Sequence, residues 1–168
     1  MGQSQPEATG SGLAILAERV RPEWVDYNGH MGDFAYGIVF SDAATAYMER
    51  LGLDADYRAT QEATLYTLDS RIGYLRECHE GTALSVELVV LAADAKRMHI
   101  LMRLRDGDGA ELALCEQVLM HVSRASGVPR SAPFPDHAQA RLQADAAAHA
   151  ALPRPDWLER RIGLPSRG

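Results

Sequence analysis

Three side chains capable of acid–base or nucleophilic chemistry lie close together near the start of the chain. They are Asp26, Asn28 and His30, in a stretch rich in turn-forming residues. A carboxylate serves as a general base or a nucleophile, and an imidazole can orient water or set the protonation of a neighbouring carboxylate. Each residue also has a structural interpretation. The aspartate closes a turn, the asparagine adopts a left-handed turn, and the histidine is buried against the backbone.

A helix is predicted directly after this loop, and its first turn adds a second chemical element. Apolar residues recur at three- and four-residue spacing over residues 34–51, with Asp33 at the N-cap position and Gly52 at the C′ position. The first N–H groups of a helix have no partners within it and carry partial positive charge. We therefore expect the backbone at Asp33 and Phe34 to bind an anion or a developing oxyanion beside Asp26.

Most of the remaining chain up to residue 125 is predicted to form β-strands. Alternating apolar and polar residues mark strands at 13–25 (interrupted near Pro22), 63–77, 82–93, 97–105 and 111–123. The turn Asp106–Gly109 favours a hairpin, and short connections between strands imply antiparallel pairing. The sum is an α+β fold in which a curled antiparallel sheet of about five strands wraps around one long central helix.

Composition and charge limit the kinds of partner. The chain has 168 residues with 46% hydrophobic content, and its formal net charge is −6. This charge excludes a general basic surface for nucleic acid, and no apolar run is long enough to span a membrane. Cys78 and Cys115 have no metal or redox spacing, and the six histidines form no metal-binding pattern. We therefore expect no metal, no cofactor and a reducing, cytoplasmic location.

The chain is expected to divide into three segments. Residues 1–12 are polar and are expected to be disordered, and residues 13–126 form the folded domain. Residues 127–168 form a tail rich in proline and alanine. Within it, residues 136–150 favour a helix whose apolar side chains are mostly alanine. Such a helix has little to bury, so it is expected to pack peripherally, with Trp157 helping to anchor the end of the tail.

The loop sequence and the order of elements together resemble the hotdog-fold thioesterases. Their loop signature, an aspartate followed by Asn-Gly-His and an apolar residue, appears here over residues 26–31. Segments 74–81 and 116–122 are similar to the turn and the closing strand of that family. The similarity covers about residues 15–125, although Gly32–Asp33 replaces the Asn-Asn pair of many members.

A closer resemblance links the chain to the branch of this family associated with carnitine breakdown, which includes betainyl-CoA thioesterases. It rests on residues 22–31, 95–99 and 152–155. The resemblance implies a hotdog fold and an acyl-CoA thioesterase that releases CoA from betainyl-CoA or another short acyl-CoA. It also implies a homo-oligomer, either a dimer or a dimer of dimers, because a single curled sheet keeps an exposed edge.

The resemblance also assigns roles to individual residues. Asp26 is the implied base or nucleophile, with Asn28 and His30 in support, beside the backbone donors at the start of the helix. A quaternary ammonium acyl group is expected to bind in a box of aromatic side chains, with Gly29 allowing close approach. The implied substrate-binding residues are Gly29, Trp24, Tyr27, Tyr36 and Tyr66, and the candidate ligands of the CoA phosphates are Arg97, Arg124 and Arg130.

Other interpretations remain open at this point. Asp42, on the long helix, is an alternative catalytic carboxylate, whereas Glu49 lies two turns later and is expected to face solvent. The chain is alternatively a hotdog hydratase or dehydratase acting on 2-enoyl-CoA, or a module that binds acyl-CoA without turnover. Release of free thiol from a panel of acyl-CoAs separates these three functions.

Overall fold

The computed structural model describes residues 11–164, so the predicted disordered segment 1–12 lies almost wholly outside the described residues. The strands are β1 (Leu13–Arg19), β2 (Ala63–Tyr74), β3 (Ala83–Ala93), β4 (Arg97–Asp106), β5 (Glu111–Ser123) and β6 (Arg130–Ser131). The helices are α1 (Asp33–Arg50), α2 (Ala55–Thr60) and α3 (Asp136–His149). All strand pairs are antiparallel in the order β1-β3-β4-β5-β2, and β6 pairs with the end of β5. None of the helices within residues 11–164 is long and apolar enough to cross a bilayer.

The long helix α1 packs against one face of the sheet, as the apolar spacing predicts. Phe40 and Tyr47 of α1 are fully buried there. The same core contains every second residue of the central strands, including Leu88 of β3 and Met102 of β4. This alternation is the two-residue period of a strand with one face on the core.

The ends of α1 differ from the prediction at one residue. Gly32, and not Asp33, is the N-cap, and Asp33 is the first helical residue. Its carboxylate accepts the N–H of the next residue, Phe34, at 2.8 Å, instead of capping from outside the helix. At the other end, Gly52 has φ +81°, the left-handed conformation expected at C′. The first predicted strand stops at Arg19, because a 3₁₀ turn begins at Pro22.

The C-terminal helix α3 is more deeply packed than its composition predicts. Ala138 and Leu142 are fully buried in the same core as α1, and α3 packs against β3. The hydroxyl of Tyr47 donates to the buried carboxylate of Asp145 at 3.0 Å, which connects α3 to α1. The expectation of a peripheral helix therefore does not describe this structure. Small alanine side chains allow a helix to approach a sheet closely. The remaining space between α3 and the sheet is then narrow enough for the single side chain of Leu142 to fill it.

The tail also bonds to the part of β3 that extends beyond β1. The first pair of β1 joins Leu13 to Leu88, and β3 bulges between Val90 and Ala92. The N–H of Val90 donates to Nδ1 of His149 at 3.0 Å. The carbonyl of Leu91 accepts from the guanidinium of Arg154 at 3.2 Å. Side chains of the tail thus satisfy backbone groups that a neighbouring strand would otherwise bond.

The last described residues cross the outer face of the sheet. Val89, Leu101 and Leu114 form a small apolar cluster on this face, and Leu152, Trp157 and Leu158 pack against it. The ring of Trp157 lies against Gly73 of β2, and the guanidinium carbon of Arg71 is 4.0 Å from the ring centroid. Trp157 therefore lies where an anchor of the tail is expected.

Candidate active site

The loop that carries Asp26 is closed by hydrogen bonds to that residue. The N–H of Asp26 donates to the carbonyl of His30 at 2.8 Å, and the N–H of Gly29 donates to the carbonyl of Asp26 at 3.0 Å. The N–H of Asn28 donates to Oδ1 of Asp26 at 2.7 Å. Gly29 has φ +79°, the positive value predicted for it. The carboxylate of Asp26 therefore closes the turn through Oδ1, and Oδ2 is left for chemistry.

A second segment, the connection between β2 and β3, fixes the position of this loop. The N–H of Met31 donates to the carbonyl of Cys78 at 2.8 Å. Nδ1 of His79 is 3.1 Å from the carbonyl oxygen of Gly29. Nδ1 of His30 is 3.1 Å from Oε2 of Glu77. The loop of Asp26 is thus held from the side by residues almost fifty positions later in the chain.

The start of α1 offers fewer free donors than the sequence predicts. The N–H of Phe34 is bonded to the carboxylate of Asp33, and the N–H of Ala35 donates to the carbonyl of Gly32 at 3.0 Å. The N–H of Asp33 donates to no group within residues 11–164. Of the two predicted backbone donors, Asp33 is therefore available to a ligand and Phe34 is not.

A cavity of about 320 Å³ brings the loop, the helix start and the end of β2 together. Its lining residues are Asp26, His30, Met31, Asp33, Tyr36, Tyr74, Leu75, Arg76 and Glu77. The rings of Tyr36 and Tyr74 are perpendicular, with centroids 5.2 Å apart. Burial raises the pKa of both phenols, and for Tyr36 the hydrogen bond with Cys78 adds to this effect. Both tyrosines therefore stay neutral, and Tyr74, which is 53% exposed, presents aromatic surface, whereas Tyr36 is buried.

Only part of the predicted aromatic box reaches this cavity. Tyr36 lines it, but Trp24 is buried in the core with the guanidinium carbon of Arg21 4.7 Å from its ring centroid. Tyr27 is 97% exposed, and Tyr66 lies on β2 away from the lining. Tyr74 takes the second aromatic place. Tyr74 begins the segment 74–81 that resembles the family, but it is not among the predicted site residues.

The remaining predicted residues lie outside the cavity. Asp42 and Glu49 are exposed on α1, as are Arg124 and Arg130 near the end of β5. Arg97 is paired with Asp94 at 2.7 Å. The backbone N–H of Lys96 and the Arg97 side chain lower the pKa of Asp94 to about 2, so this pair is charged. Arg76, Glu77 and His79 are not among the predicted site residues, because only the folded chain brings them beside the loop.

A larger cavity, of about 610 Å³, lies elsewhere in the described part of the chain. It lies between the β2 edge and the tail and is lined by Arg71, Glu116, Arg160 and Arg161 among other residues. It contains none of the predicted catalytic side chains and no helix start. The smaller cavity is the candidate active site, because a carboxylate, an imidazole and a free backbone donor converge there.

Comparison with known proteins places these features in a family. A profile described as thioesterase-like superfamily matches residues 20–142, which include the loop, the cavity and half of α3. The betainyl-CoA thioesterase of Pseudomonas aeruginosa is 47% identical over 154 residues, covering 91% of this chain and 96% of that protein. The L-carnitine dehydrogenase/betainyl-CoA thioesterase of Rhizobium meliloti is 35% identical, and the match covers 90% of this chain but 30% of that protein. A Staphylococcus aureus protein solved in complex with CoA superposes with a TM-score of 0.85 at 27% identity, over 92% of this chain and 98% of that chain.

Proposed function

Because the chain belongs to the thioesterase-like superfamily and is an acyl-CoA thioester hydrolase with the predicted hotdog fold, we propose that its substrate is betainyl-CoA. The acyl group of this thioester ends in a trimethylammonium cation. The observation that carries the proposal is the lining of the 320 Å³ cavity, which combines three carboxylates with a perpendicular pair of tyrosine rings. The name of the Pseudomonas aeruginosa relative supports the same substrate. Thioester hydrolysis is favoured over the hydratase and the binding-module alternatives.

The charge and the aromatic surface of the cavity suit a cationic acyl group. The cavity is lined by three carboxylates, those of Asp26, Asp33 and Glu77, and by one guanidinium, that of Arg76, so negative charges outnumber this positive one. A quaternary ammonium ion has no N–H to donate, so a protein binds it through negative potential and through the faces of aromatic rings. Tyr74 supplies such a ring, with the buried ring of Tyr36 packed against it, and a contact of this kind contributes about 0.5–2 kcal/mol.

We propose Asp26 as the catalytic carboxylate, acting as a base for water or as a nucleophile. Its Oδ1 is held by the N–H of Asn28, which orients Oδ2 for the reaction. The free N–H of Asp33 is then the oxyanion donor, at the positive end of α1. His30, paired with Glu77, orients the thioester or the water. The products are the free acid and the CoA thiol.

The substrate proposal is tested with two thioesters of the same shape. Betainyl-CoA carries a trimethylammonium group, and 3,3-dimethylbutyryl-CoA carries a neutral carbon in its place. Recognition of the cation predicts a kcat/KM about tenfold higher for betainyl-CoA, equivalent to about 1.4 kcal/mol. Tyr74→Leu should reduce this preference and Tyr74→Phe should keep it. Equal kcat/KM for the two thioesters would contradict cation recognition and leave thioester hydrolysis intact.

We also propose that the active form is a dimer joined along β2, or a dimer of such dimers. Within residues 11–164, β2 pairs only with β5, so its other edge is unpaired over 12 residues. Tyr66 and Leu68 are exposed apolar residues of β2, and Phe34 and Ile38 are exposed on α1. A long unpaired edge with apolar side chains is a site for pairing with a second copy. Tyr66 lies on this strand, so its predicted role in substrate binding requires the second subunit.

Light scattering combined with a thiol-release assay tests this assembly. Leu68→Arg adds a charge to the unpaired strand and should give inactive monomers. The matched control is Ile162→Arg, which changes an exposed apolar residue of the tail and should leave the dimer unchanged. A fully active monomer of the unaltered chain at micromolar concentration would contradict the proposal.

We further propose a cytoplasmic location. Cys78 and Cys115 are both free thiols and both buried. Burial raises the pKa of each thiol, which keeps it protonated and unreactive. Unpaired cysteines of this kind fit a reducing compartment, and fractionation of the producing cell would test it.

A further inference from the structure

Three potential ligands of a transition metal meet at the mouth of the catalytic cavity. His30, Glu77 and His79 each offer one ligand atom, and these atoms all lie within 4.8 Å of one another. The rings of the two histidines are 4.9 Å apart and meet edge to face. The three residues come from two loops, so their spacing in the sequence gives no metal-binding pattern.

The hydrogen bonds of this cluster leave a ligand lone pair on His79 and join His30 to Glu77. Nδ1 of His79 lies 3.1 Å from the carbonyl oxygen of Gly29, and a carbonyl only accepts. That nitrogen therefore carries the proton, and Nε2 carries the lone pair. A metal-binding histidine is usually held in this manner, with its other N–H donated to a carbonyl or a carboxylate. Nδ1 of His30 lies 3.1 Å from Oε2 of Glu77, and a carboxylate also only accepts, so a metal ion bound between these two atoms would displace the proton of that hydrogen bond.

Two imidazoles and one carboxylate form a ligand set that zinc uses with a fourth, open position. Zinc–ligand distances of about 2.0–2.2 Å require ligand atoms about 3.3–3.5 Å apart in tetrahedral geometry. His30 and Glu77, at 3.1 Å, already meet this requirement, and the wider separations, which reach at most 4.8 Å, must contract by roughly 1 Å. The side chains of His30 and Glu77 are 32% and 66% exposed, so small rotations can supply this change.

We infer that His30, Glu77 and His79 form a Zn²⁺ site that inhibits the enzyme when it is occupied. His30 and Glu77 line the cavity that contains Asp26. A metal ion bound to both withdraws the imidazole from the thioester and places a double positive charge where a cationic acyl group must enter. The ion also links the loop of Asp26 to the connection between β2 and β3. Zn²⁺ is thus expected to compete with substrate and to stabilise the folded chain.

The test measures Zn²⁺ binding directly, independently of turnover. Calorimetric titration of the full chain with chelator-buffered Zn²⁺ should show one ion per chain and a rise in Tm. Glu77→Gln and His79→Gln should each weaken binding at least about tenfold, since even the loss of an outer-shell partner costs 10–100-fold. His137→Gln is the matched control, because it removes an exposed histidine of α3 and should leave Zn²⁺ affinity unchanged.

Inhibition provides the second readout. The rate of thiol release with Zn²⁺, divided by the zinc-free rate of the same variant, should fall for the unaltered chain and for His137→Gln. The ratio should stay near one for His79→Gln at the same Zn²⁺ concentration, and chelator should restore activity. The inference is overturned if the chain binds no Zn²⁺, or if His79→Gln and Glu77→Gln bind it as tightly as the unaltered chain does.

Discussion

Truncation of Leu142 to alanine is the sharpest test of how the C-terminal helix contributes to the fold. This side chain is fully buried between α3 and the sheet. Leu→Ala changes at such sites cost about 2.7–5.0 kcal/mol, depending on how far the surroundings collapse. The neighbour one turn earlier, Ala138, is also fully buried and too small to fill the space. We therefore expect a loss of about 3 kcal/mol in the free energy of unfolding.

Chemical and thermal denaturation measure this loss. For a chain of this length each 1 kcal/mol corresponds to about 2–4 °C, so Tm should fall by about 6–12 °C. Gln143→Ala is the matched control on the exposed side of α3 and should change stability by less than about 0.5 kcal/mol. A loss for Leu142→Ala no larger than that of the control would refute the packing argument and restore the peripheral helix predicted from composition.

Three further predictions concern catalysis, packing and pH. Asp26→Asn should lower kcat about 10²–10⁴-fold with little change in KM, measured by thiol release, because it removes the charge and keeps the shape. Gly73→Ala should displace Trp157, because the added Cβ would overlap the indole ring, and a red shift of tryptophan fluorescence should report it. Burial lowers the pKa of His121 and His149 in the folded chain below the ordinary value that both have in the unfolded chain. As the pH drops below about 6.5, the unfolded chain therefore binds protons at these histidines before the folded chain does, and the free energy of unfolding should fall. Denaturant unfolding at several pH values checks this, and a flat profile would contradict it.

Local sequence signals were sufficient to predict the helix, the strands and the loop that position the candidate site. The apolar spacing of α1 and the glycine at its C′ end predict the helix to within one residue at its start, because both are properties of the helix alone. The strands β3 to β5 follow from two-residue alternation for the same reason. The loop of Asp26 is likewise a local structure, closed by hydrogen bonds within five residues.

The features that were not predicted depend on contacts between distant segments. Glu77 and His79 join the loop only because the connection between β2 and β3 folds against it. The burial of α3 depends on how closely this alanine-rich helix approaches β3. The hydrophobicity of its individual residues does not predict that distance. The N-cap was misassigned because an aspartate can satisfy an N–H from the first helical position as well as from the cap.

The bonds from the tail to β3 have a consequence for how this fold varies among relatives. His149 and Arg154 bond the backbone of Val90 and Leu91, which lie beyond the first residue of β1, Leu13. Two side chains thereby take the place of a longer first strand. Insertions and deletions at the two ends of the chain should therefore be correlated. A relative without counterparts of these side chains should have a β1 lengthened at its start, or a β3 shortened at its end.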